Sequence, residues 1–184
     1  MKMNVHKPAA GKQPGFLKWL NALYHRGNDV YGSTFDINQY PEKMVRKLYA
    51  YITGDTDLMI FTGLDPDKGI LLSQMPEESN LLYLVKPFFP VVKQYPIRST
   101  QEIRSMAARR CPPTPNPFTT AVYCFDGLGT ETGLHQPNAD CEYFKDLLIQ
   151  RYANRLLTHA TSRITAYDLE KRYGKIIGKL FNVL

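Results

Sequence analysis

Cysteine is scarce and unpatterned in this chain: three residues in 184, Cys111, Cys124 and Cys141, an odd count with no C-x-x-C spacing. No disulfide framework or zinc site is implied, and the usage is that expected of a reducing cytoplasm. Histidine is as sparse, and its four copies, His6, His25, His135 and His159, stand singly without metal-ligand spacing. No apolar run approaches the roughly 18 residues of a membrane span. Residues 1–15 carry lysine, proline and glycine but no continuous apolar stretch of a secretory signal, so they read as a flexible basic arm.

What is present is the composition of one folded domain, with 43% hydrophobic, 12% aromatic and 22% charged residues. Twenty-three Lys and Arg against seventeen Asp and Glu give a net charge of +6. Such a balance favours contact with polyanions without requiring it.

Along the chain, apolar spacing at Phe16, Leu20, Leu23 and Tyr24 predicts a helix that the Gly27-Asn28 pair should end. A second helix is expected from Pro41, with Met44, Leu48, Tyr51 and Ile52 on one face and Gly54 as its stop. Together they form a helical extension over residues 16–60. From residue 61 the texture changes to strand and helix in alternation. Strands are expected at 69–73, 95–99, 120–125 and 159–164. Helices are expected at 76–89, from Ser99 to Arg110, and at 141–157, the last with Phe144, Leu147, Leu148 and Tyr152 inward. One more should run from Thr165 to Gly174, followed by helical turns at 175–181 and the start of a fifth strand. Ser99 with Glu102, and Thr165 with Asp168, have the spacing of capping boxes. The alternation implies an α/β fold of three layers, a mainly parallel sheet covered by helices on both faces.

In such a sheet, ligands bind beyond the carboxyl ends of the strands. The segment from Gly69 through Leu82 stands where a phosphate-binding unit would carry G-x-x-x-x-G-K-[ST]. Register puts Gln74 at the first glycine, Ser79 at the second, Asn80 at the lysine and Leu81 at the hydroxyl residue. None supplies the required chemistry: wrapping N–H groups, a cation for the phosphates, an oxygen for magnesium. Glu77 and Glu78 are the first-turn acids of an ordinary helix, or else place a carboxylate where phosphate once lay. The strand ending in Asp126-Gly127 has the form of a magnesium-holding motif and equally that of a plain turn. His135 and Cys141 invite a thiol-hydrolase reading, but nothing places them on facing elements.

Taken in order, Asp67-Lys-Gly-Ile-Leu-Leu72, Cys124-Phe-Asp-Gly-Leu-Gly-Thr-Glu131, Leu148-Ile-Gln-Arg-Tyr152, Thr158-His-Ala-Thr-Ser-Arg163 and Leu169-Glu-Lys-Arg-Tyr-Gly174 resemble the DnaC/IstB-like branch of the AAA+ P-loop ATPases, over residues 36–184. The resemblance implies a P-loop NTPase-like domain at 61–184 with a vestigial nucleotide site at Gln74, Ser79, Asn80, Leu81, Asp126 and Arg163. The departures fall on catalytic positions, and the stretch Lys175-Ile-Ile-Gly-Lys179 lacks the family's trans-acting arginine. The expectation is an inactive homologue with no catalytic residues, no metal and no cofactor. Its implied partners are DNA, a replicative helicase, a transposase or a related ATPase, with an oligomer left open. Arg104, Arg109, Arg110, Lys175 and Lys179 are the candidate DNA contacts. The alternative is an ATP- and magnesium-binding helicase-loader type ATPase with an unusual phosphate loop, Arg163 or Lys86 supplying the missing charge.

Overall fold

Side chains on successive strand residues point to opposite sides of a sheet, and here the alternation divides the apolar core in two. The computed structural model describes residues 15–32, 35–74, 81–91, 94–107, 116–130 and 139–184. Five strands, β1 (Gly69–Leu72), β2 (Ile97–Ser99), β3 (Tyr123–Asp126), β4 (Thr158–Thr161) and β5 (Phe181–Val183), form one sheet in the order β2-β3-β4-β1-β5. All pairings are parallel, with Leu71 opposite Ala160, Tyr123 opposite Thr158, Ile97 opposite Cys124 and Gly69 opposite Phe181.

On one face Ile70, Leu72 and Cys124 pack with α1 (Phe16–Tyr31), α2 (Glu42–Thr53), α3 (Thr56–Thr62) and α4 (Leu81–Val85). On the other, Leu71, Phe125, Ala160 and Phe181 pack with α5 (Thr100–Ala107), α6 (Ala139–Ala153), α7 (Ala166–Tyr173) and α8 (Ile176–Leu180). The three-layer α/β architecture is therefore present, and the N-terminal helices share one apolar cluster with β1 and α4. No helix among the described residues is long and apolar enough to cross a membrane.

Local signals set several boundaries. Gly54 ends α2 in the left-handed conformation at φ 66°. Ser99 Oγ accepts from the Glu102 amide at 3.1 Å, and Glu102 Oε2 accepts from the Ser99 amide at 3.0 Å, a reciprocal capping box. Thr165 Oγ1 accepts from the Asp168 amide at 3.1 Å to open α7.

Two expectations are corrected. Gly27 does not end α1, which continues to Tyr31; a Cβ at Gly27 would lie 2.1 Å from the Phe35 ring, so glycine is there to admit that ring. Tyr152 does not point inward but is 46% exposed, and the inner face of α6 closes on Arg151 instead. The helix expected at 76–89 is described only from Leu81, as α4 and a 3-10 turn at Lys86–Phe88.

Candidate functional site

Because β4 lies between β1 and β3, the carboxyl ends of these three strands meet side by side. Asp126 closes β3 and Thr161 closes β4. The Thr161 Oγ1 hydroxyl donates to Asp126 Oδ1 at 2.5 Å and accepts from the Gly127 amide at 3.0 Å. The Gly127 carbonyl in turn accepts from Thr100 Oγ1 at 3.1 Å and Thr130 Oγ1 at 2.7 Å. Gly127 has φ 78°, a left-handed position that bends the chain back toward these hydroxyls. Ser162 stitches the edge together, its amide donating to the Leu72 carbonyl and its hydroxyl to the Leu128 carbonyl, at 2.8 and 2.7 Å. The Asp126 carboxylate is thus tied to a neutral hydroxyl, Thr161, which the Gly127 amide holds in turn. Among the described residues no group of three His, Cys, Asp or Glu side chains could hold a metal.

The positions that the sequence reading aligned with a phosphate loop follow β1 directly. Gln74 adopts φ 58°, so the left-handed turn expected of a glycine is kept by a residue with a side chain. Leu81 begins α4 with 0% exposure, packed in the core where a hydroxyl would have to face a metal. Ser79 and Asn80, with Glu77 and Glu78, lie outside the described residues. Arg163 is exposed just beyond the end of β4, and Lys86 sits half-buried in the 3-10 turn after α4.

The basic residues singled out for DNA divide differently. Lys175 and Lys179 are exposed at α8. Lys179 lines a cavity of about 660 Å³ with Lys68, Arg155, Asp65 and Asp67, around the residues that precede β1 and β4, so it lies at the amino end of the sheet. Arg104 lies on α5, its side chain outside the description, as are Arg109 and Arg110, His135 and the Cys141 side chain.

Sequence reasoning assigns no interior role to two polar residues that are buried, Arg151 and His159. Arg151 has 0% exposure; its guanidinium donates to Thr158 Oγ1 at 2.9 Å and to the carbonyls of Phe118, Ala121 and Leu157. Burial lowers its pKa to about 10. A signal was available, since Phe144, Leu147, Leu148 and Arg151 have the i, i+3, i+4, i+7 spacing of one helix face. His159, also at 0% exposure, accepts from the Ile70 amide through Nδ1 at 3.2 Å. The rings of Tyr95, Phe89 and Tyr51 surround it at 4.5, 5.4 and 6.0 Å. Both act as internal ties between elements.

The chain matches no protein-family model and no curated protein. Its functional reading rests on the chemistry of these strand ends.

Proposed function

We propose that this chain is a catalytically inactive relative of the DnaC/IstB-like AAA+ ATPases, working as a DNA- or protein-binding assembly module in DNA replication or transposition. The observation that carries the reading is Leu81: the position that would give magnesium its hydroxyl ligand is an alkyl side chain sealed in the core. Asp126, which would hold the metal through water, already accepts from the Thr161 hydroxyl. With Asn80 at the lysine position, no cation is supplied to the β- and γ-phosphates. Loss of one preorganised electrostatic group removes about 3 to 4 kcal/mol of transition-state stabilisation, and several are lost together.

The strand order is compatible with the reading: β4 is inserted between β1 and the strand that ends in Asp126, which differs from the dinucleotide-binding and flavodoxin-like orders. Exposed Lys171, Lys175 and Lys179 near the C-terminus supply positive charge for a phosphodiester backbone.

A titration with a fluorescent ATP analogue, with and without magnesium, tests the inactive site. No saturable, magnesium-dependent binding is expected up to millimolar ligand, and micromolar binding that needs magnesium contradicts it. Single-strand and duplex binding at two salt concentrations tests the partner. Affinity that falls steeply with salt supports DNA, and no binding at low salt leaves a protein.

A further inference from the structure

The cavity of about 660 Å³ at the amino end of the sheet is lined by charges of both signs. Asp65 and Asp67 come from the loop before β1, Arg155 from the turn after α6, and Lys179 from α8. The ion pairs among the described residues are Arg46 with Glu42 and Arg98 with Glu102, so none of these four is paired with another. Lys68, the remaining charge of the lining, donates to the Gly178 carbonyl at 2.8 Å. The acids outside the description are Glu77, Glu78, Glu131 and the Asp140 side chain. All four belong to the connections that leave the carboxyl ends of β1 and β3, at the other end of the sheet. Leu184 also lies at that end, its carbonyl accepting from the Ser73 amide at 3.3 Å. Arg155 and Lys179 therefore share the cavity with two carboxylates from which they stand apart.

Arg155 occupies a place where the backbone favours another residue. Past the end of α6 the Leu156 amide donates to the Arg151 carbonyl at 2.9 Å and the Arg155 amide to the Tyr152 carbonyl at 3.0 Å, the paired bonds of a Schellman stop. The stop holds Arg155 at φ 53°, a left-handed conformation that suits glycine and is unfavourable for a residue with a Cβ. At α1, α2, α3 and α7 the residue after the helix is a glycine with positive φ. At α6 the turn is strained by an arginine instead, and that arginine lines the cavity, a combination that clusters at ligand sites. The Lys179 ammonium lies 5.4 Å from the centre of the Tyr152 ring, so both cations flank Tyr152.

A guanidinium presents a planar fork that matches a carboxylate, and the Lys179 ammonium adds a point charge. A dianion would bring its second negative charge toward Asp65 and Asp67, whereas a positive centre is drawn to them. Half-buried Leu156 and Leu157 add an apolar strip, and the volume lies within the range of small-molecule sites. We infer that this cavity binds an amino-acid-type zwitterion, its carboxylate on Arg155 and Lys179, its ammonium toward Asp65 and Asp67, and an apolar side chain against Leu156 and Leu157. The zwitterion is a free amino acid or a short peptide with both ends free. The site contains none of the vestigial nucleotide positions and shares Lys179 alone with the candidate DNA contacts, and its test leaves Lys179 in place.

Calorimetric titration of the full chain tests this, using leucine, the dipeptide leucyl-leucine, N-acetyl-leucine, which keeps only the negative charge, and leucinamide, which keeps only the positive one. Leucine or leucyl-leucine is expected to bind saturably, with N-acetyl-leucine and leucinamide each at least about tenfold weaker. The tighter of the two zwitterions identifies the source. Arg155→Gly puts the favoured residue at the turn, so it should melt no lower than the parent while binding the zwitterion at least about tenfold more weakly. Asp67→Asn should weaken the zwitterion and leave N-acetyl-leucine unchanged. Failure of both zwitterions to bind, equal binding of N-acetyl-leucine or leucinamide, or binding that Arg155→Gly leaves unchanged overturns the inference. So does a melting temperature of Arg155→Gly below that of the parent, which would assign the arginine to the fold.

Discussion

Arg151 is a buried charge with which no described residue pairs as a counter-ion. Its donors are spent on three carbonyl oxygens and the Thr158 hydroxyl, and the faces of Tyr123 and Phe125 lie 5.6 and 5.2 Å from the guanidinium carbon. Hydrogen bonding and ring contact offset the desolvation that lowers its pKa to about 10, and at neutral pH it remains charged. Arg151→Met keeps the apolar stem but leaves the carbonyls of Phe118, Ala121 and Leu157 without their donor. At about 1 to 3 kcal/mol for each group left unsatisfied in the interior, a loss of about 3 kcal/mol or more is expected in urea unfolding. Stability equal to the parent would show that water replaces the guanidinium at no cost. The same residue marks a limit of sequence reading: its place on the apolar stripe of α6 was visible, but its acceptors come from segments up to 33 residues away. Asp126 was likewise legible as a strand end, while its partner Thr161, 35 residues on, depends on β3 and β4 pairing in register.

At the level of elements, those with local causes were the legible ones. The boxes at Ser99 and Thr165 and the stop at Gly54 each involve groups within a few residues, so the sequence specifies them directly. Gly27 is the opposite case, because its cause is the Phe35 ring and not the helix in which it lies. Gly27→Ala should gain up to about 1 kcal/mol of helix propensity. Forcing a methyl group into that ring costs typically about 1 to 3 kcal/mol, so the clash wins and thermal unfolding should occur at lower temperature. A raised melting temperature would mean that the ring moves aside freely. The short α3 was missed for another reason. Its Ile60 and Phe61 face solvent at 72% and 88% exposure, so it shows no apolar stripe, and its local sign was the Asp55 side chain accepting from the Leu58 amide at 3.0 Å.

For the whole molecule, burial of phenols makes stability depend on alkaline pH. Tyr51 donates to the Lys68 carbonyl at 2.7 Å and Tyr95 to the Leu82 carbonyl at 3.1 Å. Desolvation pushes both phenols well above the usual tyrosine range, helped at Tyr51 by Asp65 and Asp67 and at Tyr95 by Cys124. Burial raises the Cys124 thiol in the same direction. The unfolded chain loses these protons from about pH 9 to 10 upward while the folded chain keeps them, so their contribution is complete below that range and is lost as pH rises. Each phenol removes about 1.4 kcal/mol per pH unit. Arg151 acts with the opposite sign above about pH 10, one group against two phenols and a thiol, so the net change is a fall. Urea midpoints should drop steeply above about pH 10, and less steeply in Tyr51→Phe; a flat profile would contradict the burial of these groups.

The central proposal is that the edge formed by Gln74, Asp126, Gly127 and Ser162 does not bind a triphosphate with magnesium. Amide NMR spectra of the full chain, recorded as magnesium and ATP are added together, test it most directly. The account predicts that the signals of Gln74, Gly127 and Ser162 do not shift saturably at millimolar ligand. Saturation of those three signals at micromolar ATP, dependent on magnesium, would contradict it.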